Sequence, residues 1–377
     1  MTWREVCARR LARHSLLEPA TDIASVAGAM CGVHAQVMNA AEVSVGIRVP
    51  GVTGDHVRDA LWHKRTLVKT YGPRGTVHLF PAEELPVWAA AFVSAGRMTS
   101  GDPRARMTSE QTDAVVAALA EALAGGEAMT VEELDTAVVG ATGAWAADRV
   151  IPAFGDTWPR WRSGIHVAAY RGVLCFGPNR GRVTTYAGVR GWVPDYVAPP
   201  GPGALAAVVR RYLGAYGPAT PDQFGQWIGM ARPEARALFE RFGDALVEVD
   251  VEGQRAWLVA GDETVPDGVP EVRLLPYFDA YTVGCHPRER VFPGVAHQRA
   301  VTNGGAGNVP VVLVDGEVAG VWHQRKSGRR LAVTVEAFGR LTARHRRELD
   351  EQAARIAEIQ GAEATLTLGP VTAGRHL

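Results

Sequence analysis

The chain has 377 residues, of which 47% are hydrophobic and 21% are charged, a composition typical of a globular protein long enough for two or more domains. Forty Lys and Arg residues balance forty Asp and Glu residues, which excludes a global field that would draw the protein to nucleic acid or to an anionic membrane. The four cysteines form no CxxC pair and no apolar run is long enough to span a bilayer. We therefore expect a cytoplasmic protein without disulfides, metal, cofactor or membrane segment.

The first predicted module, residues 1–100, begins with a helical apolar pattern that ends at the string GVHAQVMNAAE, residues 32–42. His34 and Gln36 are two residues apart, and on a continuous helix their side chains would point about 200° apart. Gly32 predicts a helix break, and Asn39 predicts the N-cap of the next helix. In the extended segment between them, alternate side chains can face one site. The alternative is a helix-terminal histidine followed by a solvated amide.

The same module continues with a helical stretch, DHVRDALWHK, and with two strands, LVKTY and TVHLF, joined by the turn GPRG. Arg74 lies in this turn, where it can hold a phosphate. His78 alternates with apolar residues on the second strand, a place more typical of a structural histidine than of a catalytic one. The Gly-, Asp- and Arg-rich segment SAGRMTSGDPRARMTS predicts a linker to the next module.

The second predicted module comprises residues 101–196. The capping box TVEE predicts a helix that starts after Thr130, with Glu133 reaching back to the cap. A second helix is predicted near WPRWRSGIHVAAYRG, and VLCF and RVTTY flank the turn GPNRG as a hairpin. Arg180 and Arg182 make this hairpin basic, so it can contact phosphates, although loop arginines are more often only solvated.

The third predicted module, residues 204–265, follows the segment VAPPGPGA, residues 197–204, whose three prolines predict an interruption of helix and strand. Thr220 predicts an N-cap with Pro221 at the first helical position, and Pro233 starts a second helix. The strands LVEVDV and AWLV then flank a turn around Glu252 and Gly253. A structural role is favoured over the reading of a DNA groove, because this second helix exposes side chains of both signs: Glu234, Arg236, Glu240 and Arg241.

The last predicted domain, residues 268–377, is rich in β-strand patterns. The runs VRLLPYFDAYTVG, VPVVLVDGEVAGVW and LAVTVEAF predict a small β-barrel or sheet, and ARHRRELDEQAARIAEIQ predicts a terminal helix. Asp279 in YFDAY is more typical of a residue that stabilises a turn than of a catalytic carboxylate.

Positive charge is concentrated from Trp322 to Arg347, where eight Lys or Arg residues are opposed only by Glu336. The turn RKSGRR places four basic residues at a hairpin tip, here called the basic hairpin: Arg325, Lys326, Arg329 and Arg330. Such a tip can follow a phosphate backbone or enter a minor groove, and the alternative is a solubilising hairpin. Because helix, helix and hairpin recur three times before the β-rich segment, we predict an α+β fold with three tandem winged-helix modules and a C-terminal β-barrel, and we favour DNA contact.

Six strings in chain order, HAQ, LVKTYGPRGTVHLF, RGVLCFGP, YLGAYGPATPDQFGQW, LLPYFDAY and VDGEVAGVW, are distributed over nearly the whole sequence. As a set they resemble the winged-helix DNA glycosylases typified by AlkZ and YcaQ. The resemblance implies a monomer clamped on double-stranded DNA. It also implies hydrolysis of the N-glycosidic bond of purines alkylated at N7, including bulky natural-product adducts and interstrand crosslinks. Such base excision repair gives self-resistance to bacteria that make DNA-damaging antibiotics.

The catalytic motif of that family lies at HAQ, as two polar side chains around one apolar residue. Both are glutamine in the AlkZ branch, and the second is aspartate in the YcaQ branch, whereas this chain has His34 and Gln36. An N7-alkylated guanine is already cationic, so catalysis mainly requires an oriented water and a stabilised oxocarbenium-like sugar. We predict that Gln36 positions the water and His34 polarises or deprotonates it, with His78 and Asp279 as supporting candidates.

Two other functional classes are compatible with parts of this pattern. A non-catalytic DNA-binding regulator, or a resistance protein that sequesters a drug, would bind duplex DNA or the free drug without releasing a base. A structural or interaction protein would show no salt-dependent affinity for DNA.

Overall fold

The computed structural model describes residues 1–96, 103–153, 155–267 and 272–372. Residues 97–102 of the predicted linker therefore lie outside the described ranges. The chain forms two compact units. The first comprises Met1–Ala60, Arg210–Trp227 and Ala231–Leu377, and the second comprises Leu61–Val209 and Ile228–Met230. Helices and strands contribute to both units, which confirms the expected mixed α+β class.

The α-helices within the described ranges have these bounds, in chain order: α1 (Trp3–Arg13), α2 (Ile23–Ala29), α3 (Met38–Gly46), α4 (Gly54–Trp62), α5 (Leu85–Ser94), α6 (Ser109–Ala122), α7 (Val131–Thr142), α8 (Ile165–Tyr170), α9 (Gly201–Tyr216), α10 (Pro221–Ile228), α11 (Arg232–Glu240), α12 (Ala280–Gly284), α13 (Arg288–Val291), α14 (Val295–Ala300) and α15 (Ala343–Ile359).

The strands within the same ranges are β1 (Val33–His34), β2 (Leu67–Tyr71), β3 (Val77–Pro81), β4 (Met129–Thr130), β5 (Arg149–Ala153), β6 (Asp156–Pro159), β7 (Leu174–Arg180), β8 (Val183–Gly188), β9 (Leu246–Val251), β10 (Gln254–Val259), β11 (Val272–Leu275), β12 (Val311–Val314), β13 (Glu317–Ser327), β14 (Arg330–Ala337) and β15 (Glu363–Leu368).

The first unit contains an open five-stranded sheet with the order β11-β12-β13-β14-β15. Neighbouring strands are antiparallel, except that β15 lies parallel to β14. Helix α15 supplies the crossover between these two parallel strands and shares one apolar core with the sheet and with α3, through Ile356, Leu331 and Val43. The predicted closed barrel is not confirmed, because β11 and β15 form the two edges of the described sheet.

The second unit contains a three-stranded sheet of order β4-β8-β7 and the hairpins β2–β3 and β5–β6. Its core surrounds the fully buried Trp161, with Leu119 from α6 and Leu134 from α7. The indole N–H of Trp161 donates to Asp135 Oδ1 at 2.6 Å, so the one polar atom of this large side chain is satisfied. Here the helices are held by apolar packing against the sheet.

Local signals place several helix starts and turns where the sequence predicts them. The Thr130 hydroxyl accepts from the Glu133 amide at 3.3 Å, and Glu133 accepts from the Thr130 amide at 2.7 Å, which completes the capping box of α7. Thr220 caps α10 in the same way, by accepting from the Gln223 amide at 3.2 Å. The β9–β10 turn uses Glu252 and Gly253, both with positive φ, as a tight two-residue hairpin requires.

Two local predictions were wrong, and a third holds over a shorter range than expected. Asn39 is not an N-cap, because the extended segment ends at Val37 and α3 begins at Met38 without a side-chain cap. The interruption predicted for the Pro-rich segment 197–204 covers only residues 197–200, because α9 begins at Gly201, and Pro202 lies in the first turn, where its missing N–H costs nothing. The run VRLLPYFDAYTVG is a strand only up to Leu275, and its end forms α12, which is capped by Asp279.

The described part of the chain has no helix that combines the length and the apolar composition needed to cross a bilayer. All four cysteines are buried thiols: Cys7, Cys31, Cys175 and Cys285.

Candidate active site

The segment that holds His34 and Gln36 is a break between two helices of the first unit. Helix α2 ends at Ala29, and the chain then passes through two residues with positive φ, Cys31 at 57° and Gly32 at 98°. Gly32 tolerates this conformation because it has no Cβ, and its amide donates to the Ala27 carbonyl at 2.9 Å, which closes the end of α2. The predicted break at Gly32 is therefore present.

After the break, Val33 and His34 are extended, and α3 begins at Met38. His34 is 7% exposed, whereas Gln36 is exposed to solvent. Between them Ala35 is completely buried, which anchors the segment to the protein. The arrangement combines an imidazole held in the protein with an amide that can reach solvent or a bound ligand.

The imidazole of His34 stacks on the ring of Phe278, with centroids 4.7 Å apart and planes inclined by 20°. Phe278 itself has a left-handed backbone, with φ of 56°, and its amide donates to the Gly307 carbonyl at 2.8 Å. Sequence reasoning missed Phe278 because it lies more than 240 residues from the motif, although its neighbour Asp279 in the string YFDAY was a candidate.

Asp279, the residue after Phe278, is buried and ion-paired. Its two carboxylate oxygens each accept from Arg48, at 2.8 Å, and Oδ2 also accepts from the Ser44 hydroxyl at 2.7 Å. Oδ1 accepts from the Tyr281 amide at 3.0 Å and so caps α12. Such a bidentate, fully hydrogen-bonded pair is the arrangement in which a buried charge is tolerated.

The electrostatics of Asp279 follow from these contacts. Burial acts to raise the pKa of its carboxyl, but the Arg48 charge and the hydrogen bonds from Arg48 and Ser44 outweigh burial, and the pKa lies below its usual value. The carboxylate is therefore ionised at neutral pH and has its acceptor sites occupied by the protein.

The basic hairpin belongs to the same unit as His34. Ser327 of β13 pairs with Arg330 of β14, so only Gly328 and Arg329 form the turn, and all four basic residues are exposed. Lys326 donates to the Gln360 carbonyl at the end of α15, and its charge acts on the buried carboxyl of Glu42 in α3. The hairpin base therefore lies close to the helix that follows Gln36.

The remaining candidate residues lie in the second unit. Arg74 is exposed at the β2–β3 turn, with φ of 58°, and Arg182 is exposed at the β7–β8 turn. Arg180 is ion-paired with Glu133 at 2.7 Å and donates to the Ala128 carbonyl, so its charge is partly neutralised by the protein. His78 is buried, and its Nδ1 donates to the Thr76 carbonyl at 3.0 Å, which holds the turn.

Comparisons with known proteins identify the family and agree with the fold. The model of the AlkZ-like DNA glycosylases matches residues 27–359. The chain belongs to the AlkZ-like DNA glycosylase family, which places it among the N-glycosylases that act on DNA.

Two comparisons identify individual relatives from Streptomyces sahachiroi. An interstrand DNA cross-link repair glycosylase is 34% identical over 334 residues, which is 85% of this chain and 87% of that protein. The solved structure of the DNA glycosylase AlkZ superposes with a TM-score of 0.81 at 30% identity, and the match covers 98% of this chain and 100% of that one.

Proposed function

We propose that this chain is a monofunctional DNA glycosylase that hydrolyses the N-glycosidic bond of N7-alkylated purines in double-stranded DNA. The substrates would include bulky guanine adducts and interstrand crosslinks, in base excision repair that gives resistance to a DNA-damaging antibiotic. One observation carries the proposal: a helix break places a buried His34 two residues before an exposed Gln36, in a chain that belongs to a DNA glycosylase family.

The reaction suits these two side chains. The base of an N7-alkylated guanine is cationic, so cleavage of the C1′–N9 bond sends the electron pair to the base and neutralises it without a general acid. Gln36 orients a water for attack on C1′ and places its carbonyl dipole against the oxocarbenium-like sugar. A neutral His34 accepts a proton as the water oxygen bonds to C1′, a step that a second glutamine cannot perform.

DNA contact is assigned to the basic hairpin and to the turns of the proposed winged-helix modules. The side chains of Arg325, Arg329 and Arg330 are exposed at the hairpin, where they can reach phosphates. We also assign phosphate contact to Arg74 and Arg182, which are exposed at turns of the second unit. Arg180 contributes less, because Glu133 already pairs with it.

The test is base release from a defined lesion. A duplex with one N7-methylguanine is incubated with excess protein, and alkali then cleaves the strand at any abasic site. We expect Gln36→Ala to lower the single-turnover rate about a hundredfold, which is the size of effect that removal of one such stabilising group produces. Asn39→Ala, an exposed amide of α3, is the matched control and should keep the wild-type rate.

Two further experiments test the role of His34 and the action on crosslinks. If His34→Ala kept the wild-type rate, His34 would have no catalytic part. His34→Gln separates the two possible roles, because it restores a hydrogen bond but not a base. A duplex with an N7–N7 nitrogen-mustard crosslink tests unhooking, and a protein that binds the duplexes but never releases a base would be a non-catalytic binder.

A further inference from the structure

Phe278 is placed against His34 by an unusual backbone. A left-handed conformation is uncommon for a residue with a large side chain, and it persists only where the surroundings impose it. Here the Phe278 amide donates to Gly307, and a Cβ on Gly307 would lie 3.1 Å from the Phe278 Cα. Only a glycine at 307, which itself has φ of 106°, lets the two segments approach so closely.

The residue after Phe278 ties this segment to α3. Arg48 follows α3 by two residues, and Ser44 lies in its last turn; both bind the Asp279 carboxylate. Arg48 also donates to the His14 carbonyl at 2.8 Å and to the Ser44 carbonyl at 2.7 Å, so its guanidinium is held on several sides. Side chains of this pair are completely buried, which gives the connection one defined geometry.

These contacts form a continuous circuit around the two proposed catalytic residues, His34 and Gln36, here called the dyad. Gln36 is joined to α3 through Val37, α3 is joined to Asp279 by Arg48 and Ser44, and Asp279 is joined to Phe278 by one peptide bond. Phe278 in turn stacks on His34, two residues before Gln36. Both members of the dyad are thus held by the same assembly, one through its helix and the other through its ring.

We infer that Phe278 and the Arg48–Asp279 ion pair are positioning residues for catalysis: the stack fixes the plane of the His34 imidazole, and the ion pair fixes α3 and Gln36 relative to it. The inference rests on the proposed role of His34 and Gln36. None of the three residues is assigned a contact with the substrate. For Asp279 and Arg48 this follows from their hydrogen bonds, since the Asp279 oxygens already accept from Arg48, Ser44 and Tyr281.

The test compares Phe278→Leu, which removes the stack, with Phe278→Tyr, which keeps an aromatic ring. Phe242→Leu is the matched control, since Phe242 is another half-buried phenylalanine of the first unit but packs against Arg210 instead of His34. We expect Phe278→Leu to lower the single-turnover rate on N7-methylguanine DNA by about tenfold to a hundredfold, with DNA affinity unchanged in fluorescence anisotropy. Phe278→Tyr should recover most of the rate.

A second readout reports the stack directly. With histidine labelled by ¹³C, the His34 ring resonance, assigned by its loss in His34→Gln, should shift in Phe278→Leu as the ring current disappears, and should be unmoved in Phe242→Leu. Asp279→Asn should lower the single-turnover rate, and the His34 ring resonance should be broadened or shifted. Should Asp279→Asn fail to fold, the Phe278 variants still test the stack, and Ser44→Ala, which removes one hydrogen bond between α3 and Asp279, tests the second connection and should lower the rate.

The outcomes separate the two proposals. A wild-type protein that releases no base overturns the proposed function and the positioning role with it. An active wild type with Phe278→Leu at the wild-type rate, or with Phe278→Leu and Phe242→Leu equally impaired, overturns the positioning role alone. An unmoved His34 resonance in Phe278→Leu overturns the stack as the means of positioning.

Discussion

His14 is a buried histidine of the first unit whose pKa is strongly lowered. It is completely buried at the end of α1, with its ring 5.0 Å from that of Tyr216 and 5.6 Å from that of Tyr281. Burial, together with the nearby Arg48 charge, lowers its pKa to about 3. In the folded protein His14 is therefore neutral throughout the pH range in which an unfolded chain would protonate it.

This shift predicts an acid-dependent loss of stability. Below an unfolded pKa of about 6.5 the unfolded chain binds a proton that the folded chain does not, so stability falls as the pH drops from there towards 3, by up to about 1.4 kcal/mol per pH unit. We expect His14→Phe to remove this contribution. Urea unfolding at pH 7, 5.5 and 4.5 gives the free energy of unfolding at each pH. The contribution of His14 is the difference between wild type and variant in the slope of that free energy against pH.

The matched control for this prediction is the exposed His297, whose replacement by Phe should leave the pH dependence of the unfolding free energy as in the wild type. Equal pH dependence in His14→Phe and in the wild type would contradict the burial argument.

At the scale of elements, α15 is fitted against α3, the helix that begins two residues after Gln36. Arg355 of α15 donates to the carbonyls of Gly46, Val49 and Val52, which end or follow α3. A Cβ on Gly46 would lie 2.6 Å from Ile359 Cγ1, so glycine is needed at this contact. The end of α3 is thus set by the C-terminal helix.

We therefore expect Gly46→Ala to destabilise the protein by about 1–3 kcal/mol, the usual cost of overpacking a close contact. Gly214→Ala in α9 is the control, since an added Cβ there meets nothing within 4 Å, and the change should be neutral or slightly stabilising because alanine favours helix. Chemical unfolding of both variants measures the difference. Equal effects of the two substitutions would refute the close-contact explanation.

The basic hairpin supplies a second prediction at this scale. Replacement of Arg325, Arg329 and Arg330 by alanine should make the plot of log affinity against log salt shallower by about 2 to 3, because each phosphate contact releases nearly one counterion. Fluorescence anisotropy with an undamaged duplex at several salt concentrations measures the slope.

A control for the hairpin variant changes the net charge equally on arginines outside it. Arg232, Arg236 and Arg255 are exposed; the first two are ion-paired with Asp222, and Arg255 is ion-paired with Glu248. Their joint replacement by alanine should leave the salt slope unchanged. A similar loss of slope in both triple variants would indicate an effect of total charge rather than contact by the hairpin.

For the whole molecule, the formal net charge is zero at pH 7, so repulsion between copies is weakest near neutral pH. The sequence has eleven histidines, and histidine is the side-chain type whose ordinary pKa lies just below neutral pH. We expect the second virial coefficient from light scattering to be lowest near pH 7 and to rise more steeply towards pH 6 than towards pH 8. In the hairpin triple variant this minimum should move to lower pH.

The sequence alone determined the features that depend on neighbours along the chain. The capping box at Thr130, the N-cap at Thr220, the hairpin turns and the break at Gly32 follow from interactions over a few residues and from the backbone freedom of glycine, so local patterns reveal them. The HAQ motif and the associated strings likewise indicated the family without any coordinates.

Tertiary structure decided the features that depend on distant residues. The strand β15 follows α15 in the chain, pairs in parallel with β14 and forms an edge of the sheet. The sheet is therefore open, whereas the strand patterns in the sequence fit an open sheet and a barrel equally well. Likewise, Phe278 meets His34, and Asp279 meets Arg48, across more than 230 residues of chain. Such contacts leave no periodic or local signature in a sequence, because their geometry exists only once the two segments have packed.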